Sequence, residues 1–321
     1  MEDELQSKVD EIVNGIYKKI EEGFQIFFVH LGLGEVTVFL ELLDAWKLEY
    51  GKKTALYTMA NARTFLCSSC PAVDSLVEID PIIYYALTGS PEFVEQTRLI
   101  NFSTLHDNGA WNQYFGEDME GKIKMFMGLR KTSKRSGFKL RFSDEDRAAL
   151  EEFGKNSGAN LSKIVLIVPD AWYFGNDVVS NDFWKKICGL LVNFGYIPFF
   201  NTPRDIVPGM PHAMWELKMV MLLADTCKKV IGVRTGLMDA IGAFTDARMY
   251  VVYPDDDNPI WEGRDRFKGP EKSIQYVEDG GSVSEKHRGE GVTELVHTSD
   301  DEDIELIMSD LLQSDRTAGD E

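Results

Sequence analysis

Two glycine-containing loops hold the side chains whose types and spacing best suit chemistry on a bound ligand. The first reads His30-Leu31-Gly32-Leu33-Gly34-Glu35, and the second reads Val233-Arg234-Thr235-Gly236-Leu237-Met238-Asp239. Each follows a short apolar run that predicts a buried strand and precedes a segment that predicts a helix. A helix that begins at such a loop points its unsatisfied backbone N–H groups at one place, where they can bind an anion.

In the first loop, Gly32 and Gly34 let the backbone turn sharply and approach a ligand closely. Glu35 follows them, and a carboxylate at the edge of a cleft can take a proton from an attacking hydroxyl group. This pattern predicts a general base. The alternative is that Glu35 only complements the positive end of the helix dipole, because acidic residues are common in first turns.

In the second loop, Thr235 and the neighbouring N–H groups of Gly236 and Leu237 could hold a diphosphate at a helix N-terminus. Arg234 is a suitable phosphate partner, because its planar fork matches phosphate oxygens. The alternative is a capped helix in which Arg234 and Asp239 form a surface pair.

Hydrophobic periodicity predicts two successive α/β series around these loops. The first series comprises a helix over 3–21, a strand over 25–30, a helix over 36–50, a strand over 53–59, a helix over 63–70 and a strand over 75–79. The second comprises strands over 162–168, 196–200, 229–233 and 247–253, with helices over 183–194, 214–224, 240–244 and 304–312. An N-cap at Ser143 starts the helix before the second series, and Asn181 or Asp182 is expected to cap the helix over 183–194. We therefore expect two Rossmann-like doubly wound domains, 1–150 and 151–321, facing a cleft at the carboxyl ends of their strands.

The net charge of the chain limits the classes of partner that it is expected to bind. The formal net charge is −19, which disfavours nucleic-acid binding, and much of the acid lies in the C-terminal tail. A basic stretch over 122–141 opposes this trend. It predicts a solvated loop or, alternatively, a surface for an anionic acceptor or a lipid membrane, which would make the chain a peripheral membrane protein. No apolar run reaches the length of a membrane span, and the acidic start lacks the layout of a signal peptide, so a cytoplasmic location is expected.

Four cysteines are present, and Cys67 and Cys70 form one C-x-x-C motif. A zinc site would need two more ligands at similar spacing, and none is visible in the sequence. The motif also precedes Pro71 at an expected helix end, whereas redox motifs stand at helix starts. We expect structural thiols and no bound metal.

Four segments in collinear order resemble the ADP-heptose lipopolysaccharide heptosyltransferases, glycosyltransferase family nine. They are F-F-V-H-L-G-L-G-E, the stretch from K-T-A-L-Y-T-M to S-C-P-A-V-D-S-L-V-E-I-D, F-K-L-R-F-S-D-E-D-R, and A-D-T-C-K-K-V-I-G-V-R-T-G-L-M-D. The similarity covers roughly residues 24–80 and 138–254.

The resemblance implies a GT-B fold with an acceptor-side N-terminal domain and a C-terminal domain that binds a nucleotide-sugar. It implies inverting transfer without a metal or other cofactor, to a hydroxyl group of a bacterial surface glycan or lipid-linked acceptor. The family's catalytic carboxylate corresponds to Glu35, and its diphosphate-binding T-G-L corresponds to Thr235, Gly236 and Leu237. The resemblance also implies donor contacts at Trp172, Tyr173 and Met214.

The chain departs from the family pattern around the diphosphate. Glu35 replaces an aspartate, Arg234 replaces an acid, Asp239 replaces a histidine, and Asp177 stands where a lysine is expected. A sugar other than heptose is therefore compatible with the pattern, so hexosyl and heptosyl transfer both stay open. Two alternatives also stay open: a nucleotide-sugar epimerase or hydrolase on the same fold, and a binding protein that has lost activity.

Overall fold

The computed structural model describes residues 2–30, 32–59, 63–98, 100–101, 119–170, 179–253, 292–296 and 300–318. The chain divides into two compact units, Met1–Leu140 and Arg141–Glu321. The expected boundary at residue 150 would divide the helix Asp144–Ser157, which lies entirely in the second unit.

The first unit is built on a four-stranded parallel sheet in the order β3-β2-β1-β4. Its elements are α1 (Glu2–Glu21), β1 (Phe24–Val29), α2 (Leu33–Tyr50), β2 (Lys53–Met59), α3 (Arg63–Ser69), β3 (Ser75–Ile79), α4 (Pro81–Thr88), α5 (Pro91–Thr97), β4 (Ile100–Asn101) and α6 (Met119–Phe126). The strands β2 and β3 follow each other to one side of β1, whereas β4 pairs on its other side. The strand order therefore reverses next to β1, as in a doubly wound sheet.

Successive residues of β1 bury opposite faces of this sheet. Phe28 lies on the face covered by α1 and α4, where its ring is 5.4 Å from that of Tyr84. Phe27 lies on the face covered by α2, with its ring 5.6 Å from Phe39 and 5.1 Å from Trp46. Burial on both faces explains why the strand is a continuous apolar run instead of an alternating one.

The second unit is built on a five-stranded parallel sheet in the order β6-β5-β7-β8-β9. Its elements are α7 (Asp144–Ser157), β5 (Ile164–Val168), α8 (Asn181–Asn193), β6 (Ile197–Phe200), α9 (Leu217–Cys227), β7 (Lys229–Val233), α10 (Gly236–Phe244), β8 (Arg248–Tyr253), β9 (Val292–Val296) and α11 (Asp300–Ala318). The strand order reverses between β5 and β7, which is the other common doubly wound arrangement. Both sheets confirm the expected α/β class.

Both faces of the second sheet are covered as well. Trp184 of α8 and Ile307 of α11 belong to one buried cluster with Ile167 and Val233 of the sheet. On the other face, Gly232 of β7 lies so close to Met238 of α10 that a Cβ atom would be 2.9 Å from its sulfur. The glycine therefore sets the distance between α10 and the sheet.

Six helix starts differ from the sequence prediction. The helices α1 and α11 begin earlier, at Glu2 and Asp300, and capping or loop geometry explains the other four. The helix α2 starts at Leu33, because Gly32 is its N-cap, and α10 starts at Gly236, because Thr235 is its N-cap. The helix α8 is capped by Ser180, whose hydroxyl accepts the N–H of Phe183 at 2.9 Å, so the prediction of a cap at Asn181 or Asp182 is wrong. The helix α9 starts at Leu217, because the residues before it form a loop.

The predicted cap at Ser143 is confirmed. Its hydroxyl accepts the N–H of Asp146 at 3.2 Å, and the Asp146 carboxylate accepts the N–H of Ser143 at 3.0 Å. These two reciprocal bonds form a capping box. Lys218 of α9 forms an ion pair with the same carboxylate at 2.5 Å, and hydrogen bonding to this ammonium is the main cause of the lowered pKa of Asp146. The cap thus also ties α7 to α9.

All four cysteines are buried and unlinked. The Sγ of Cys70 lies 3.8 Å from the carbonyl oxygen of Leu40, and burial raises the pKa of this thiol to about 12. Burial raises the pKa of Cys188 to about 12 as well. The burial favours the structural interpretation of these thiols.

Gly232→Ala should lower the free energy of unfolding by about 1–3 kcal/mol, because its methyl group would lie 2.8 Å from the carbonyl oxygen of Val168. Gly189→Ala is the matched control. Gly189 lies within α8, and a methyl group there would meet no neighbouring atom within 4 Å, so alanine should stabilise the protein by about 0.5–1 kcal/mol. Urea denaturation measures both, and equal effects of the two substitutions would contradict this packing.

The thiols should be nearly inert towards iodoacetamide at pH 8 in the native protein, because all four are buried away from the reagent and burial also raises the pKa of Cys70, Cys188 and Cys227. All four should react once the protein is unfolded in guanidinium chloride. Mass spectrometry after timed alkylation measures the number of labelled thiols. Rapid native labelling of Cys67 or Cys70 would contradict the structural interpretation.

Candidate functional site

The carboxyl edge of the first sheet holds the first predicted loop. The strands β1 and β4 are neighbours there, with Phe28 paired to Asn101, and the strand order reverses at this point. Ligands of open α/β sheets bind in the crevice that such a reversal creates. His30 follows β1, and Gly32 caps the helix that leaves the edge.

Glu35 lies in the first turn of α2, and its side chain folds back towards the strand. Its Oε2 accepts the N–H of Gly32 at 2.5 Å, which is one of the two bonds of a capping box; glycine has no side chain to form the other. A Cβ atom on residue 32 would lie 2.7 Å from the same oxygen, so only glycine fits there without a shift of the carboxylate. Glu35 is half-buried. The helix-terminus role weighed from the sequence is therefore present, and it places the carboxylate at the sheet edge.

The structure places Gly34 in a helix and not in the predicted loop. It is buried within the first turn of α2 rather than in a loop. The prediction that it shapes a loop is wrong, because Gly32 is the N-cap and the helix already starts at Leu33. Leu31 lies outside the described residues.

The carboxyl edge of the second sheet holds the second predicted loop, next to the reversal between β5 and β7. Thr235 caps α10: its hydroxyl accepts the N–H of Met238 at 3.2 Å, and its carbonyl accepts the N–H of Asp239 at 3.2 Å. The N–H groups of Gly236 and Leu237 precede the first intrahelical bond and have no acceptor within the helix. Both residues are half-buried at this edge, so their N–H groups lie where the sequence predicts an anion site.

Arg234 and Asp239 form an ion pair beneath this loop. Arg234 Nη1 lies 2.8 Å from Asp239 Oδ2 and donates to the carbonyl oxygen of Thr235 at 2.9 Å. The two side chains are only 4% and 2% exposed, so the pair is buried and is not the surface pair that the sequence left open. The carboxylate neutralises the guanidinium, and the guanidinium ties the end of β7 to the first turns of α10.

The remaining predicted donor residues are placed as follows. Met214 lies in the loop before α9 and is 68% exposed. Its neighbour Trp215 packs on Phe199 at a ring distance of 4.9 Å. Trp172 and Tyr173, together with Asp177, lie outside the described residues.

Asp170 and Arg204 form an ion pair that sequence reasoning missed. Asp170 follows β5 and Arg204 follows β6, so the pair lies at the same carboxyl edge as the N-terminus of α10. Both side chains are about one-third exposed, at 27% and 32%. Their positions in the sequence could have indicated this pair, because each is a charged residue a few positions beyond a predicted buried strand.

Part of the basic stretch over 122–141 is packed against α2 in the first unit. Arg135 bridges Glu41 at 3.2 Å and Glu120 at 2.8 Å, with only 14% of its side chain exposed. Arg130 pairs with Glu49 at 3.2 Å, although its own side chain is largely exposed. Part of the stretch therefore has a structural role, which neither sequence-based interpretation anticipated.

The described residues contain neither a cluster of metal ligands nor a helix that could span a membrane. In this part of the chain, no three histidine, cysteine, aspartate or glutamate side chains are grouped closely enough to hold a metal ion. Across the described helices, none is both long and apolar enough to span a bilayer.

Comparison with known proteins gives a result at the level of structure. No protein-family model matches the chain, and its sequence matches no curated protein. The structure is similar to a glycosyl transferase family 9 protein from Veillonella parvula DSM 2008, at 15% identity, with 89% of each chain covered and a TM-score of 0.57. It is also similar to the Escherichia coli ADP-heptose lps heptosyltransferase II, at 10% identity, with 91% of this chain and 99% of that chain covered and a TM-score of 0.58. The chain therefore has the GT-B fold of heptosyltransferase-like glycosyltransferases, as the sequence resemblance predicted.

Proposed function

We propose that this protein transfers a sugar from a nucleotide-sugar donor to a hydroxyl group of an acceptor, with inversion at the anomeric carbon. One observation carries the proposal: each unit has a capped strand–loop–helix junction where its strand order reverses, on a fold shared with glycosyltransferases. The name of the E. coli neighbour includes ADP-heptose, which supports a nucleotide-sugar as the donor. Hexose and heptose donors are both consistent with this proposal.

Glu35 is the proposed general base. Its carboxylate would accept the proton of the acceptor hydroxyl while that oxygen attacks the anomeric carbon and the bond to the diphosphate breaks. The bond from the Gly32 N–H holds one carboxylate oxygen at the sheet edge. A fixed position favours catalysis, because a base that is already oriented loses little freedom in the transition state.

The N-terminus of α10 is the proposed site of the departing diphosphate. Negative charge grows on that group as the glycosidic bond breaks, and oriented N–H groups at Gly236 and Leu237 would stabilise it. Thr235 and the buried Arg234–Asp239 pair hold the loop in the shape that aims these groups. In this proposal Arg234 acts mainly by positioning the loop, with its charge already compensated by Asp239.

The rest of the proposal follows the resemblance. Met214, Trp172 and Tyr173 would contact the donor, and no metal or other cofactor would be required. The acceptor would be a surface glycan or a lipid-linked glycan, met on the cytoplasmic side by a protein that touches the membrane only peripherally. Nucleic acid is not a proposed partner.

A second candidate function is nucleotide-sugar binding without transfer. The observation that favours it is the engagement of both key groups inside the protein: Glu35 with the Gly32 N–H, and Arg234 with Asp239. Such a protein would keep donor affinity and show no turnover, so the same experiment separates the two candidates.

A nucleotide-sugar donor should raise the melting temperature of the protein, because a ligand that binds only the native state stabilises it by about 2.7 kcal/mol at 100 times its dissociation constant. We would screen ADP-, GDP-, UDP-, CMP- and dTDP-sugars, then assay transfer from the donor that binds. Glu35→Gln should lower turnover by about 10²–10⁴-fold, the range of general-base catalysis, and leave the donor-induced shift unchanged.

Glutamine is a sharp probe at this position, because its side-chain oxygen can still accept the Gly32 N–H and so keep this bond at the helix start. Glu35→Gln therefore removes the base and keeps the cap, whereas Glu35→Ala removes both. Wild-type turnover in Glu35→Gln would exclude Glu35 as the base. A donor-induced shift without any transfer would favour the binding protein, and no shift with any donor would contradict both candidates.

The Arg234–Asp239 pair should behave as a buried, coupled unit. Asp239→Asn leaves the buried guanidinium without its counter-charge and should lower the free energy of unfolding by about 3–5 kcal/mol. The double variant Arg234→Met with Asp239→Leu should lose considerably less free energy of unfolding than Arg234→Met and Asp239→Leu lose in total. Denaturant unfolding of wild type, Arg234→Met, Asp239→Leu and the double variant measures the coupling, and the exposed pair Lys185–Asp182 serves as a control cycle that should show little coupling. Simple additivity at positions 234 and 239 would contradict the buried pair.

A further inference from the structure

Two exposed apolar side chains stand on α4, close to the loop that holds Glu35. Ile82 is 65% exposed and Tyr85 is 51% exposed. Their spacing of three residues puts them on the same face of the helix. Asp80 caps α4 through a bond from the N–H of Ile82 at 2.8 Å, so the helix begins directly after the carboxyl end of β3. The face therefore lies at the carboxyl edge of the first sheet.

The ring of Tyr85 has a defined orientation although half of its surface is exposed. Its hydroxyl lies 3.4 Å from Nδ1 of His30, and the two rings are 5.8 Å apart at 47°. Tyr84, which is fully buried, packs edge-on against Tyr85 at a ring distance of 5.7 Å. Two neighbouring rings thus hold the tyrosine in place, which reduces the entropy lost when a ligand packs on it.

The position of His30 brings this ring close to the proposed base. Two peptide units separate His30 from Gly32, whose N–H is 2.5 Å from the Glu35 carboxylate. The length of the chain therefore limits the distance from the His30 Cα atom to that carboxylate to about 9 Å. The Tyr85 ring, 5.8 Å from the His30 ring, therefore stands on the same part of the sheet edge as the proposed base.

We propose that Tyr85, oriented by His30, is the surface on which a sugar ring of the acceptor packs. Pyranose rings present C–H groups on one face and hydroxyl groups at their edge. The C–H face packs on the exposed aromatic ring, beside the apolar surface of Ile82, and the tyrosine hydroxyl and the imidazole are close enough to bond the edge. A hydroxyl of this sugar then lies within reach of Glu35. The identification of this sugar as part of the acceptor rests on the proposed function, whereas the binding of a pyranose ring to Tyr85 does not.

Saturation-transfer NMR tests this directly with the full chain. The probes are methyl α-glucopyranoside, methyl α-mannopyranoside, methyl α-galactopyranoside and deacylated lipopolysaccharide core oligosaccharide from E. coli. We expect saturation of ring C–H protons in at least one probe. Tyr85→Ala should weaken its binding about tenfold or more, and Tyr85→Phe should retain part of it, because the ring remains and only the hydroxyl is lost.

Tyr17→Ala is the matched control. Tyr17 lies on α1 of the same unit, is 38% exposed and bonds Gln96 at 3.2 Å, so it is a comparable tyrosine away from the sheet edge. Its loss should leave the saturation pattern unchanged. No saturation of any probe by the wild-type protein, or equal saturation by wild type and Tyr85→Ala, would overturn the proposal. Circular dichroism checks that each variant is folded.

Donor binding separates this proposal from the proposed function. Nucleotide-sugars could raise the melting temperature of wild type and Tyr85→Ala alike, while both proteins give the same sugar saturation. This result would contradict sugar binding at Tyr85 and support the donor site. If saturation depends on Tyr85 and no nucleotide-sugar binds, the glycan surface stands and transfer is wrong. Where transfer is measurable, Tyr85→Ala should raise the KM for acceptor about tenfold and leave the KM for donor unchanged.

Discussion

Burial of both faces of each parallel sheet governs where every other feature of this chain can lie. Phe27 and Phe28 point to opposite sides of β1 and are both fully covered by helices. With the faces closed, polar chemistry is restricted to the strand ends and to the helix starts beside them. Both candidate loops lie at such carboxyl ends, where each strand order reverses. The positions of Glu35 and Arg234 thus follow from how the apolar faces are covered.

The two junctions share one arrangement, a capped helix start at the carboxyl edge of a sheet, but their side chains carry different charges. Each helix begins at a capped turn that leaves N–H groups at the sheet edge. In the first unit, the N-cap is Gly32, and its N–H is accepted by the acidic side chain of Glu35, which stays half-buried. In the second unit, the cap is the neutral Thr235, and the charges of Arg234 and Asp239 cancel beneath it. The first junction therefore holds a carboxylate and the second holds N–H dipoles at a helix start, and these are the groups on which the proposed base and the proposed leaving-group site depend.

The fold is shared with glycosyltransferases at 10–15% identity, which shows how little of it depends on particular residues. What must be kept is a pattern: apolar strands, helices with one buried stripe and glycine where elements approach closely. Gly232 belongs to the last class, because the space for a side chain is occupied by Val168 and Met238. Around the second junction, the charges of Arg234 and Asp239 neutralise each other, which makes their burial compatible with a stable fold.

Local sequence patterns were enough to predict the α/β class, most of the strands and the two loops, because these depend on periodicity and on glycine. They also predicted the cap at Ser143, which is a local bond between residues three apart. Tertiary packing was needed to show that Arg234 and Asp239 are buried, that Arg135 bridges Glu41 and Glu120, and that Tyr85 stands beside His30. Most of these contacts join residues far apart in the chain, and even the Arg234–Asp239 pair is buried only by the packing of α10 on the sheet. Sequence spacing therefore could not reveal them.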